Sequence, residues 1–176
     1  MARGVTVWFT GLSGAGKTTI CEALAKKLQN ESVPYERLDG DLIRQYLTSD
    51  LGYSKQDRMT NIKRVSFVAS LLTKHHVIVL ASFISPYQEM RDMARDNIGS
   101  FVEVYVNCPL KECIRRDVKG LYKKALDGDI KHFTGISDPF EPPINPQLTV
   151  ETDKETVNES VSKVYEYLKQ RGYISA

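Results

Sequence analysis

Eight residues, Gly11-Leu12-Ser13-Gly14-Ala15-Gly16-Lys17-Thr18, match the phosphate-cradling pattern G-x-x-x-x-G-K-[ST], the P-loop. Glycine at 11, 14 and 16 lets the backbone turn tightly and aim its N–H groups at an anion. A helix opening directly behind the loop adds partial positive charge at the same point. Lys17 has the reach for β- and γ-phosphates, and the Thr18 hydroxyl can hold Mg²⁺. Ser13, Ala15 and Thr19 complete the expected phosphate-binding set. The chemistry this predicts is nucleotide binding with phosphoryl transfer.

Phosphoryl transfer to a hydroxyl also needs a carboxylate, and Asp39-Gly40-Asp41 supplies two. One can orient the acceptor hydroxyl and take its proton, and the other can order the water shell of Mg²⁺. Which does which stays open at this point. The strand that often ends in such an aspartate, Val77 to Ser82, ends here in serine. Arg44, Arg58 and Asn61 suit an anionic acceptor. Tyr53 and Phe133 fall in expected loops and can stack on a purine. His75, His76 and His132 lack ligand spacing, and Cys108 and Cys113 have no partner pair for zinc.

These residues need a scaffold, and the pattern of apolar runs describes one. Val5 to Thr10 reads as a buried strand and Thr18 to Leu28 as an amphipathic helix, so the P-loop lies between strand and helix. Val33 to Leu38 reads as a short strand and Leu42 to Leu47 as a short helix. Ser54 and Asp57 resemble a capping box that opens a helix to about Lys74. His76 to Ser82 reads as a central strand. A helix from Pro86 to about Asn97, a strand from Phe101 to Val106 and a helix from Pro109 follow. Thr152 and Glu155 predict a capping box for the last helix, with Val157, Val161, Val164 and Leu168 on its core face. Strands alternating with helices predict an α/β fold of three layers, a P-loop NTPase fold with a mostly parallel central sheet and helices on both faces. Residues 116–146, rich in proline, glycine and charge, read as a mobile lid that excludes water from the phosphate site.

With 176 residues the chain is long enough for one domain, 1–176, with a full core. A hydrophobic content of 41% and a net charge of +2 are those of a globular protein without a broad nucleic-acid footprint. No apolar run is long enough for a membrane span and no signal peptide is evident. Three cysteines, an odd number, suit a reducing cytoplasm. A start at Met1 makes a stand-alone protein the simpler expectation.

Taken together, the segments GVTVWFTGLSGAGKTT (4–19), LDGD (38–41), DLGYSKQDR (50–58), SFISPY (82–87), KGLYKKA (119–125) and FTGISDPFEPP (133–143) resemble the adenylylsulfate kinase (APS kinase) family over nearly the whole chain. The resemblance implies a nucleotide-kinase-like fold. It implies transfer of the γ-phosphate of MgATP to the 3′-hydroxyl of adenosine 5′-phosphosulfate (APS), giving PAPS, with ATP and APS as partners in a cytoplasmic homodimer. Carried over, Asp39 would face the 3′-hydroxyl and Asp41 would support Mg²⁺ through water. Arg44, Arg58 and Asn61 would hold the phosphosulfate, and Tyr53 and Phe133 would sandwich the APS adenine. Lys119 would approach the phosphates, Ile84 would offer backbone contacts and Arg116 would lie near the ATP base. Ser85 matches a serine phosphorylated in some members and is counted as a pocket residue. Gln88 replaces the family's usual arginine, and Val118 its usual proline, which removes a φ restraint from the lid. A kinase for another small acceptor is the competing enzyme. A GTP switch is the competing binding protein, since Asp96-Asn97-Ile98-Gly99 matches D-x-x-G, but no N-K-x-D motif accompanies it.

Overall fold

β1 (Val5–Thr10) is buried at all six positions, as a strand covered on both faces must be. In the computed structural model, which describes residues 3–175, β1 is the middle of a five-stranded sheet in the order β2-β3-β1-β4-β5. The flanking strands are β2 (Tyr35–Asp39), β3 (Ile78–Ser82), β4 (Phe101–Asn107) and β5 (Leu148–Glu151). Every pairing is parallel. The expected "mostly parallel" sheet is thus wholly parallel, and the run ending at Ser82 is an interior strand beside the central one.

Side chains alternate along β1 and divide the core in two. Val5, Val7 and Phe9 meet α1 (Lys17–Asn30) and α7 (Val157–Gln170) through Ile20, Leu24, Leu28, Val164 and Leu168. Trp8, with Val79 and Ala81, meets α3 (Lys55–Lys74) and α4 (Gln88–Ile98) through Ile62, Val65, Ala69, Met90 and Ala94. The short helices α2 (Gly40–Tyr46), α5 (Leu110–Arg116) and α6 (Leu121–Leu126) complete the chain. α3 opens as expected, with the Ser54 hydroxyl accepting from the Asp57 N–H.

The structure corrects several boundaries. The capping box of α7 is Thr156 with Glu159, one turn later than Thr152 with Glu155. Thr152 is instead turned to the P-loop side, its hydroxyl donating to the Ala15 carbonyl at 2.6 Å and accepting from Arg116 at 3.3 Å. Val157 is accordingly 41% exposed rather than on the core face. β5 was not expected at all. α4 starts at Gln88, two residues past Pro86, and β2 runs Tyr35–Asp39 rather than from Val33. Residues 116–146 hold α6, turns and an isolated bridge between Thr134 and Asp138.

Candidate active site

In a parallel sheet all strands end on the same side, and the loops there form the crevice. The P-loop leaves β1, Asp39-Gly40-Asp41 leaves β2, Phe83 to Pro86 leaves β3 and Thr152 leaves β5. The first three, together with the lid's first turn, enclose a cleft of about 370 Å³.

The P-loop takes the shape its glycines allow. Gly16, the residue before α1, has φ 105°, and a Cβ on Gly11 would lie 2.4 Å from the Val106 carbonyl oxygen. The Lys17 ammonium donates to the carbonyls of Gly11 (2.9 Å) and Leu12 (2.8 Å). Burial makes the charged form costly and lowers its pKa from 10.5 to about 8. Ser13, Gly14, Gly16, Lys17, Thr18 and Thr19 face the cleft. Gly11 and Ala15 do not line it: Gly11 backs onto Val106, and Ala15 is buried with its carbonyl held by Thr152.

The acidic turn sits opposite. Asp39 caps α2 by accepting from the Asp41 N–H at 3.0 Å. The Asp41 carboxylate is paired with the lid's Lys119 ammonium. Arg44 donates to the carbonyls of Leu51 and Gly52 and lies over the Tyr53 ring, 4.7 Å from its centroid. Asn61 is buried, its amide oxygen accepting from Thr48 at 2.7 Å. Arg58 is also nearly buried. It donates to the carbonyls of Tyr53 (2.8 Å) and His132, and to the Thr134 hydroxyl (2.9 Å). Its pKa is lowered by desolvation, opposed by the Asp138 carboxylate 3.8 Å away. One residue of the second helix beyond the acidic turn thus fastens the far part of the lid.

Ile84 and Ser85 line the cleft from the β3 side. Ser85 is a non-glycine residue at φ 41°, a backbone conformation that costs about 1–3 kcal/mol. Its hydroxyl accepts from the Trp8 indole N–H at 3.0 Å and donates to the Thr10 hydroxyl at 3.1 Å. That buried network makes it a structural corner of the pocket.

The structure gathers all but three of the expected site residues at this cleft. Gly11, Ala15 and Phe133 are the exceptions. Phe133 packs edge-on against Tyr122, centroids 5.1 Å apart, and not across from Tyr53. Three contributors escaped the sequence reading. The Tyr122 hydroxyl donates to the Ser13 carbonyl at 2.8 Å, and Asp117 caps α6 by accepting from the N–H groups of Tyr122 and Lys123. Thr152 and Arg116 form a clamp, with Arg116 donating to the Thr152 carbonyl at 2.8 Å while Thr152 holds Ala15. Arg116, Thr152, Gly16, Thr19, Glu155 and Val157 also line a second hollow of about 190 Å³ that adjoins the P-loop. The D-x-x-G match at 96–99 closes α4 before β4, at the sheet's amino end, opposite the P-loop.

A cleft with a P-loop, the Asp39 and Asp41 carboxylates, three arginines and an exposed tyrosine suits a small-molecule phosphotransferase. The adenylylsulphate kinase family model matches residues 3–151. The adenylyl-sulfate kinase of Halothermothrix orenii is 61% identical over 173 residues, covering 98% of this chain and 94% of that protein. The adenylyl-sulfate kinase of Rippkaea orientalis is 58% identical, covering 98% and 96%. Among solved structures, the APS kinase of Mycobacterium tuberculosis in complex with AMPPNP and APS superposes with a TM-score of 0.92 at 42% identity, covering 96% of this chain and 99% of that one.

Proposed function

The chain belongs to the adenylylsulphate kinase family, and on that premise we propose how its residues divide the reaction. It is an adenylyl-sulfate kinase, transferring the γ-phosphate of ATP to the 3′-hydroxyl of APS to give PAPS and ADP. The observation that carries the assignment of residues is that one cleft is lined by the P-loop, by Asp39 and Asp41, and by Arg44, Tyr53, Arg58 and Asn61.

In this reading the amides of Ser13 to Thr19 and the Lys17 ammonium hold the β- and γ-phosphates of ATP. The hollow beside Arg116 and Thr152 takes the ATP base. Lys17 leaves the carbonyls of Gly11 and Leu12 and turns to the γ-phosphate, where its charge offsets that of the transferring group. Arg44, Arg58 and Asn61 take the phosphosulfate of APS, with Ile84 and Ser85 forming the floor. Tyr53, 58% exposed, offers its ring to the adenine. The lid must swing Phe133 away from Tyr122 for that residue to close the other face. Asp39, fixed by its cap on α2, orients the 3′-hydroxyl and receives its proton. Lys119 moves from Asp41 to the phosphates as the lid closes.

Mg²⁺ fits these residues. No cluster of three or more His, Cys, Asp or Glu side chains suited to a metal exists among the described residues. Mg²⁺ needs none, since it keeps several waters and takes one or two protein oxygens beside substrate phosphates. Thr18 and, through water, Asp41 would hold it. When bound it neutralises charge on the β- and γ-oxygens.

The reading also includes a single catalytic domain with residues 116–146 as its lid, a homodimer and a cytoplasmic setting. Phe67 and Leu71, one turn apart on α3, are 63% and 44% exposed and supply apolar surface for a second copy. No helix among the described residues is long and apolar enough to cross a membrane, and Cys21, Cys108 and Cys113 are free thiols.

The direct test is ADP release with MgATP and APS, AMP, adenosine, gluconate or no acceptor, the product identified by mass. Turnover with APS alone, yielding PAPS, supports the assignment. Turnover with another acceptor overturns the substrate.

A further inference from the structure

Arg91 on α4 is fully buried, and none of the expected site residues is Arg91. We propose that its guanidinium is a positioning residue for the APS side of the cleft, pinning the loop after β3 and the returning end of the lid to each other. The inference rests on the assignment of that cleft and lid above.

The orientation of the fork is the evidence. Its acidic partner is Glu103 of β4, 1% exposed, with Arg91 Nε and Glu103 Oε1 3.1 Å apart. Yet neither of those two atoms makes a hydrogen bond. The carboxylate balances the charge without setting the geometry. The aligned bonds go to two backbone carbonyls, from Nη1 to Ser85 at 2.6 Å and from Nη2 to Glu141 at 2.6 Å. Nη2 also donates to the Gln88 side chain at 2.9 Å.

Both carbonyls belong to segments that matter to the site. Ser85 is the left-handed corner of the loop that lines the cleft. Glu141 lies just before the end of the lid, and two further bonds lock it to that loop. Its N–H donates to the Pro86 carbonyl at 2.8 Å, and its carboxylate accepts from the Gln88 N–H at 2.7 Å. Phe140 packs over the Arg91 guanidinium, 5.8 Å from ring centroid to Cζ, and on Tyr105. Glu103 is shared with Arg95 at 2.9 Å, so the buried carboxylate keeps a partner if Arg91 is altered. A planar fork can hold two carbonyls at a fixed separation, whereas a lysine ammonium is a single point charge on a flexible stem.

The test compares wild type with Arg91→Lys and with the double variant Arg91→Met, Glu103→Gln, which removes the buried charge together with its partner. Steady-state kinetics give KM for APS and for ATP separately, and hydrogen exchange is read over residues 84–88 and 138–143 of the substrate-free enzyme. Loss of a charge-assisted bond predicts a rise in KM for APS of about tenfold or more, with KM for ATP within about twofold of wild type. Exchange should accelerate in both segments together while α1 is unchanged. Equal losses for both substrates, or unchanged exchange in either segment, would overturn the proposal. So would a double variant with wild-type KM for APS, which would make Arg91 only a counter-ion to Glu103. Should Arg91→Lys not fold, the double variant carries both readouts. A wild-type enzyme that makes no PAPS would defeat the reading of the reaction, while the exchange measurement would still decide the clamp.

Discussion

Lys17→Met should slow the reaction severely and stabilise the protein at neutral pH, and the two effects share one cause. The Lys17 ammonium is held where its pKa falls from 10.5 to about 8. At ~1.36 kcal/mol per unit, that shift means the charged form is penalised in the fold by roughly 3 kcal/mol. Lys17 is 8% exposed, so solvent screening removes little of this. Between about pH 8 and 10.5 the unfolded chain binds more protons than the native one, so wild-type stability rises with pH across that window. Below pH 8 the whole penalty is present, and above 10.5 it is gone. Methionine carries no charge and escapes it, but forfeits the bonds to Gly11 and Leu12, worth about 1 kcal/mol net each. The Leu12 carbonyl still accepts from the Ala15 N–H. The expected gain is therefore about 1 kcal/mol at pH 7, or a rise in Tm of roughly 2–4 °C for a chain of this size. Calorimetry of both proteins at pH 7 and pH 10 should show that gain at neutral pH and its loss or reversal at pH 10. Transfer should fall by about 10²–10³-fold or more. A variant less stable than wild type by the same amount at both pH values would refute the reasoning.

The same lysine predicts that ATP binding at pH 8.5 takes up a proton, because phosphate charge favours the ammonium. Calorimetric titration in buffers of different ionisation enthalpy should show it, and a buffer-independent heat would count against it. Arg58→Ala should raise KM for APS by about 10–100-fold, as loss of charge-assisted bonds implies, while KM for ATP stays near wild type; equal losses would place Arg58 elsewhere. Asp39→Asn should lower kcat by about 10²–10⁴-fold at nearly constant KM, and Asp41→Asn should instead raise the Mg²⁺ concentration for half-maximal rate. The reverse pattern would exchange their roles. Thr152→Val should raise KM for ATP and spare KM for APS, since the threonine holds the Ala15 carbonyl from the side of the ATP base.

Much of the site was legible because its residues follow strands directly. The P-loop and Asp39-Gly40-Asp41 could be placed once β1 and β2 were read from their apolar runs. Thr152 and Glu155 misled because they share the T-x-x-E spacing of Thr156 and Glu159. Local pattern cannot tell the two apart when one of them, Thr152, is held by groups far along the chain, Ala15 and Arg116. β5 escaped because only Val150 among its four residues is buried, leaving no run to recognise. Phe133 was expected opposite Tyr53 but packs on Tyr122, because an apolar ring in a lid packs on whatever core it can reach. Tyr122 donates to the Ser13 carbonyl and Arg91 to the Glu141 carbonyl, 109 and 50 residues away, a kind of contact no spacing rule encodes.

The clamp from Thr152 to Ala15 fixes when a newly made chain can become competent. The phosphate loop lies within the first twenty residues, yet the groups that brace it, Arg116 and Thr152, come about 100 residues or more later. A ribosome that has made the loop, four strands and most of the helices has not yet made its brace. At about 5–20 residues per second, several seconds of synthesis separate the two. Contacts of such long sequence separation also close slowly. Nucleotide capture therefore belongs to the finished polypeptide, and a chain truncated before residue 152 should carry an intact motif and an unbraced loop.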